Sequence, residues 1–86
     1  MKVIFHVDAL EDLQQFDRSL KQHFAGHIEK LSRMPPRRHM KFGLPYHVEN
    51  ITKQACLVYN ERGDRLYVIR CFGTRKEYEK WYRSFE

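Results

Sequence analysis

The sequence contains no long apolar run and few of the residues that define metal, redox or secreted scaffolds. Its two cysteines, Cys56 and Cys71, are too few and too far apart for a CxxC pair, a zinc knuckle or a disulfide framework. No stretch approaches the roughly 18 apolar residues of a membrane span, and residues 1–7 run directly into an acidic stretch without a signal-peptide cleavage pattern. Walker, GxGxxG, HExxH and GxSxG motifs are missing as well. We therefore expect no metal, no cofactor, no membrane contact and a cytoplasmic location.

The length and the charge distribution limit what the chain can be. Its 86 residues can bury one modest core, so we expect a single domain spanning residues 1–86. Through Ser32, four Lys/Arg stand against five Asp/Glu, a net charge of −1; from Arg33 onward, twelve stand against six, a net charge of +6, and the two sum to +5. A polyanionic partner would therefore meet the second half of the chain.

The first 33 residues have the pattern of a strand followed by helix. Residues 1–7 are short, apolar and rich in β-formers. Asp8 then occupies an N-cap position, and Glu11 completes a capping box. Apolar residues recur three and four positions apart up to about Arg33, at Leu10, Leu13, Phe16, Leu20, Phe24, Ile28 and Leu31. Breaks at residues 16–19 or at Gly26 leave two alternatives, one long helix or a helical hairpin.

The second half of the chain has the pattern of a β-meander followed by a helix. Three β-like runs cover residues 46–51, 55–59 and 65–72, with residues 60–64 as a hairpin loop. Thr74 and Glu77 form a second capping box that opens a C-terminal helix. The expected fold is therefore α+β: a small antiparallel sheet of about four strands, with an N-terminal helix or helical hairpin and a C-terminal helix.

The predicted hairpin loop implies a register for its two strands. It would place Tyr59 opposite Arg65, Cys56 opposite Val68 and Gln54 opposite Arg70. One face would then carry Cys56, Val58, Leu66, Val68 and Arg70, and the other, facing the helices, Leu57, Tyr59, Tyr67, Ile69 and Cys71. Cys56 and Cys71 would lie on opposite sides and could not pair.

His47 and Glu49 alternate along the preceding strand, so their side chains project from the same face. A carboxylate beside an imidazole raises its pKa and orients the ring, as a general base requires. The alternative is an ordinary solvated polar pair. The spacing by itself does not decide between them.

The cations of the second half suit phosphate groups. The candidate nucleic-acid-binding residues are Arg33, Arg37, Arg38, Lys41, Lys53 and Lys76. Arg75 lies near Tyr78 and Tyr82, which would add rings for base stacking. Tyr78, Trp81, Tyr82 and Phe85 also recur at helical spacing, which is more typical of core residues.

Several segments together resemble the RelE family of bacterial and archaeal toxins. These are Tyr46-His47-Val48-Glu49-Asn50, Leu57-Val58-Tyr59, Arg65–Phe72 and Gly73-Thr74-Arg75-Lys76-Glu77-Tyr78. The resemblance implies a compact antiparallel sheet with helices against it, and cleavage of mRNA in the ribosomal A site. It also implies a cognate antitoxin, with operator DNA as a further partner through the toxin–antitoxin complex. Arg75 would stabilise the phosphate, and Tyr78 or Tyr82 would orient the cleaved nucleotide.

Two departures from the family pattern leave alternatives open. Cys56 stands where the family usually has an arginine, and His47 and Glu49 stand where RelE carries lysines. One hypothesis is a metal-independent endoribonuclease with His47 as base, Glu49 as its orienting group, and Arg70 and Arg75 as phosphate clamps. Another is a weakened or inactive toxin. A ParE-like gyrase inhibitor and a non-catalytic RNA- or DNA-binding module are the remaining alternatives.

Overall fold

A computed structural model describes residues 1–34 and 46–84 of the chain. The elements are β1 (Lys2–Phe5), α1 (Val7–Gln14), α2 (Arg18–Arg33), β2 (His47–Asn50), β3 (Cys56–Arg62), β4 (Arg65–Phe72) and α3 (Arg75–Arg83). The four strands form one sheet in the order β1-β4-β3-β2. The predicted α+β fold is confirmed. Because β1 runs parallel to β4 while β2 and β4 run antiparallel to β3, the sheet is mixed and not wholly antiparallel.

The N-terminal helical segment is a hairpin of two helices. The carboxylate of Asp17 accepts a hydrogen bond from the Leu20 amide at 2.8 Å and caps α2, whereas Gly26 lies inside that helix. The predicted cap at Asp8 is wrong, because α1 begins earlier. His6 is its N-cap, and its Nδ1 atom accepts from the Asp8 amide at 3.1 Å.

The β3–β4 hairpin is longer and tighter than the sequence pattern predicted. Its turn is Gly63-Asp64, with Gly63 at a φ of 59°. This turn and a β-bulge together place Cys56 opposite Phe72, and the predicted pairing with Val68 is wrong.

A β-bulge in the same hairpin shifts the register further. Val58 lies opposite Arg70, whereas the next residue, Tyr59, lies opposite Val68, so Ile69 is left without a partner on β3. Arg70 thus pairs with Val58 and not with Gln54, and Tyr59 does not pair with Arg65.

The sheet buries side chains on both faces. The larger core lies between the sheet and α1–α2 and consists of Ala9, Phe24, Ile28, Leu31, Ile51, Ala55, Leu57, Tyr59, Leu66, Val68 and Cys71. The smaller core lies beneath α3 and consists of Tyr46, Cys56, Val58 and Phe72. Leu66 and Val68 thus face α1–α2, contrary to the predicted faces, because of the shifted register. Cys56 and Cys71 lie on opposite faces as predicted, and both are free thiols.

None of the helices among residues 1–34 and 46–84 is long and apolar enough to cross a membrane.

Candidate nucleic-acid interface

The N-terminus of α3 brings Arg75 onto the face of the sheet opposite α1 and α2. Thr74 is the N-cap of α3, and its hydroxyl accepts a hydrogen bond from the Glu77 amide at 3.2 Å, as the second capping box predicted. Arg75 Nη2 donates to Asn50 Oδ1 at 3.0 Å, which joins α3 to the end of β2. We call Tyr46, Asn50, Cys56, Arg75 and Tyr78 the Arg75 site.

Cys56 lies at the floor of the Arg75 site, directly opposite Asn50 in the sheet. Burial raises the pKa of the Cys56 thiol to about 11, and the nearby charge of Arg75 only partly opposes this effect. The side chain is therefore an uncharged thiol at neutral pH. It supplies neither a cation nor a thiolate nucleophile to the site.

Aromatic rings connect α3 to the sheet and extend towards solvent. The Tyr46 and Trp81 ring centroids are 5.3 Å apart, and those of Phe72 and Tyr78 are 5.9 Å apart. Burial raises the pKa of the Tyr46 hydroxyl, and the nearby Tyr78 adds to the shift. Tyr82 stacks on Tyr78 at 6.2 Å and is 37% exposed. The helical aromatic stripe thus anchors α3 through Tyr78 and Trp81, while Tyr82 presents a ring surface to solvent.

Arg70 is held by a carboxylate of α1. Its Nε and Nη2 atoms donate to Asp12 Oδ2 and Oδ1 at 2.8 and 3.0 Å. Its guanidinium carbon also lies 4.9 Å from the centroid of the Phe72 ring. The hydrogen bonds to Asp12 raise the pKa of Arg70. Because Asp12 occupies the guanidinium fork, Arg70 joins α1 to β4 and is not placed as an open phosphate clamp.

His47 and Glu49 share a face, as their alternation predicted, but it is the face covered by α2. His47 is 5% exposed and stacks on Tyr59 with ring centroids 5.2 Å apart. Glu49 Oε2 lies 3.5 Å from His27 Nδ1 of α2. The thickness of the sheet therefore separates His47 and Glu49 from Arg75. The structure does not bring these residues together in one site.

The remaining predicted phosphate contacts are dispersed. Arg33, at the end of α2, pairs with Glu29 at 2.6 Å, and Lys53 is exposed between β2 and β3. Lys76 is exposed in the first turn of α3, next to Arg75. Arg37, Arg38 and Lys41 lie outside the described residues.

Sequence reasoning overlooked Asn50. The same alternation that paired His47 with Glu49 also sets Tyr46, Val48 and Asn50 on the other face of β2. With the observed register, that face is the one with Cys56, because Asn50 lies opposite Cys56 in the sheet. A register between β2 and β3, which the sequence pattern did not supply, would have placed Asn50 beside Cys56.

A four-stranded mixed sheet with a helical hairpin on one face and a short C-terminal helix on the other is the RelE/ParE-like toxin fold, and the chain has this fold. One similar structure is a YoeB/ParE toxin from Agrobacterium tumefaciens, with 24% identity, a TM-score of 0.64 and coverage of 83% of this chain and 95% of that one. A YoeB–YefM complex from Staphylococcus aureus gives 17% identity, a TM-score of 0.64 and coverage of 83% and 93%. A copper-bound mutant toxin from Helicobacter pylori has 21% identity and a TM-score of 0.58, with coverage of 90% of this chain and 97% of that one. No protein-family model and no curated protein sequence matches the chain.

Proposed function

We propose that this chain is the toxin of a type II toxin–antitoxin system and that it cleaves mRNA in the ribosomal A site through the Arg75 site. The observation that carries the proposal is the position of Arg75, an exposed residue at the N-terminus of α3 that Asn50 fixes by a hydrogen bond. The similarity to toxin folds supports the same class. Hydrolase chemistry on RNA, inhibition of translation and RNA binding all follow from this proposal.

The Arg75 site has groups suited to a phosphodiester. Asn50 occupies one guanidinium nitrogen of Arg75, which leaves the others to meet a phosphate. Lys76 adds a second cation in the same turn of α3, and the exposed ring of Tyr82 provides a stacking surface for a base. Attack by a 2′-hydroxyl would then be favoured mainly by positioning and by stabilisation of charge on the phosphate.

Binding of RNA without cleavage is the second candidate, and Cys56 is the observation that favours it. Its neutral thiol lies beside Arg75 where the resemblance leads us to expect an arginine. Loss of one charged contact to a transition state commonly costs about 100-fold or more in rate. A Cys56→Arg variant would restore a second guanidinium next to Arg75.

The test is expression of the chain and of Cys56→Arg from a tightly repressed promoter, with primer extension on a reporter mRNA. Cleavage by both proteins supports the nuclease. Cleavage only after Cys56→Arg supports a disabled toxin that still binds RNA.

Arg75→Gln should abolish cleavage, and Lys21→Gln, on exposed α2, is the matched control. Growth arrest with intact mRNA and blocked DNA supercoiling would instead support the gyrase inhibitor.

The proposal includes a cognate antitoxin. Three apolar side chains at the β1–α1 junction are exposed: Phe5 by 37%, Val7 by 59% and Leu10 by 45%. Such a patch suits the apolar side of a wrapping partner. Co-expression of a small open reading frame adjacent to this gene should relieve growth arrest and allow a complex to be purified. Leu10→Asp should weaken that complex, whereas Lys21→Gln should not.

A further inference from the structure

The part of the sheet beyond α3 carries a second basic surface. Leu66 and Val68 point into the core beneath α1 and α2, so the alternating residues Arg65 and Tyr67 point to the opposite face. Arg62 lies opposite Arg65 on β3, and Lys2 lies beside Arg65 on β1. We call Lys2, Asn60, Arg62, Arg65, Tyr67 and Ile69 the Tyr67 surface. It joins three cations from three neighbouring strands.

The Tyr67 surface has the shape and chemistry of a base-binding platform. A shallow groove of about 280 Å³ is lined by Asn60, Arg62, Tyr67 and Ile69. Tyr67 lies directly opposite Asn60, so a planar ring and an amide are adjacent. Arg65 is two residues from Tyr67 on the same face of β4, which places a guanidinium group on the side of the sheet that carries the ring. Aromatic rings flanked by cations bind unpaired bases and their phosphates.

The charges of this surface suit an anionic partner, and the aromatic ring among them favours a nucleic acid over an acidic protein segment. Arg62 and Arg65 are both exposed, and Glu61 is placed opposite Leu66, on the other face. The Tyr67 ring adds stacking, which every base can use and which an acidic peptide does not need.

We propose that the Tyr67 surface is a second RNA contact, which binds an unpaired strand by stacking a base on Tyr67 and pairing phosphates with Lys2, Arg62 and Arg65. The proposal deepens the proposed function and rests on it for the identity of the RNA. The strand β4 runs from Arg65 to Phe72, a span of about 23 Å. One RNA strand could therefore cross from the Tyr67 surface to the Arg75 site, which would hold the substrate at two points.

The test measures binding of purified full-length protein to a short labelled oligouridine by fluorescence anisotropy, across about 50 to 200 mM salt. Arg62→Gln with Arg65→Gln should weaken binding roughly tenfold and reduce the salt slope by about 1.4, which corresponds to two phosphates. The matched control is Arg18→Gln with Lys21→Gln, which removes the same charge from exposed α2. Equal losses in both double variants would overturn the proposal, because net charge alone would then explain them.

A second pair of variants tests stacking. Tyr67→Leu should weaken binding about fivefold or more, whereas Tyr67→Phe, which keeps the ring, should stay within about twofold of wild type. Thermal unfolding checks that every variant is folded. Equal effects of Tyr67→Leu and Tyr67→Phe, or equally tight binding of double-stranded DNA, would overturn the stacking assignment.

The two proposals fail separately. If oligouridine binding depends on Tyr67 and Arg65 while no mRNA is cleaved, the Tyr67 surface stands and the nuclease fails. If mRNA is cleaved while the surface variants bind and cleave as wild type does, the nuclease stands and the Tyr67 surface fails.

Discussion

At the scale of single residues, Asp12 makes the most consequential contact outside the Arg75 site. The strand β1 ends at Phe5, opposite Val68, so beyond Val68 no described strand pairs with β4 on the β1 side. Asp12 Oδ2 takes the place of that neighbour by accepting the Cys71 amide at 2.9 Å, while both carboxylate oxygens hold Arg70. One side chain of α1 thus satisfies a backbone donor and a partly buried cation.

We expect Asp12→Asn to destabilise the protein by about 2–3 kcal/mol, because Arg70 would keep its charge with 26% of its side chain exposed and no counterion at Asp12. Urea unfolding measures the loss. Glu29→Gln is the matched control, because it breaks the exposed Glu29–Arg33 pair and should cost at most about 0.5 kcal/mol. Comparable losses in the two variants would contradict a special role for Asp12.

The two buried thiols should make the protein less stable as the pH rises above 9. In the unfolded chain both thiols ionise near their ordinary pKa of 9.0, whereas burial raises the folded pKa to about 11 for Cys56 and about 12 for Cys71. Above pH 9 the unfolded chain therefore releases protons that the folded protein keeps, so the free energy of unfolding falls as pH rises from 9 towards 11.

We expect Cys56→Ala to reduce this alkaline slope by up to about 1.4 kcal/mol per pH unit. Urea unfolding between pH 8 and pH 11 measures the slope in the variant and in the wild type. The comparison uses slopes and not absolute stability, because loss of the buried side chain also lowers stability at every pH. Identical slopes in the variant and the wild type would show that the Cys56 thiol has the same pKa in the folded protein and in the unfolded chain.

At the scale of elements, two glycines should respond to alanine with opposite signs. Gly63 has a φ of 59° in the β3–β4 turn, so a Cβ atom there is strained although no other atom lies within 4 Å of it. Gly26 lies in the middle of α2, and a Cβ atom there would also meet nothing within 4 Å. The difference between the two sites therefore comes from the backbone.

We expect Gly63→Ala to lower the free energy of unfolding by about 1 kcal/mol and Gly26→Ala to raise it by about 0.5–1 kcal/mol. Chemical denaturation of the two variants beside the wild type measures both changes. Each variant is the control for the other, since both add one methyl group at an exposed position. The same sign in both would contradict the backbone explanation.

Local sequence signals predicted the elements well and their pairings poorly. The spacing of apolar residues identified the strands and helices, and Thr74 marked the start of α3, because such signals act within a few residues. The bulge at Ile69 and the parallel partner of β1 depend on contacts between distant segments. The pairing of Asn50 with Cys56 was not predicted either, because no local signal sets the register between β2 and β3.

At the scale of the whole molecule, the sheet separates two kinds of surface. The face covered by α1 and α2 buries the larger core together with His47, whereas the other face carries the smaller core, Arg75 and Tyr67. His47 and the residues proposed to contact RNA therefore lie on opposite faces of the sheet. Substitutions of His47 and of Arg75 should have separable effects.

We expect His47→Gln to lower the free energy of unfolding by about 1–2 kcal/mol, because it removes a buried ring stacked on Tyr59, and to leave mRNA cleavage intact wherever the protein is folded. Arg75→Gln should abolish mRNA cleavage and leave the free energy of unfolding nearly unchanged, since Arg75 is exposed and its loss leaves no buried group unpaired. Thermal unfolding and primer extension on the same preparations compare the two effects. A folded His47→Gln protein that cleaves no mRNA would instead support the hypothesis that His47 is the general base, and the Arg75 site would then be incomplete without the other face of the sheet.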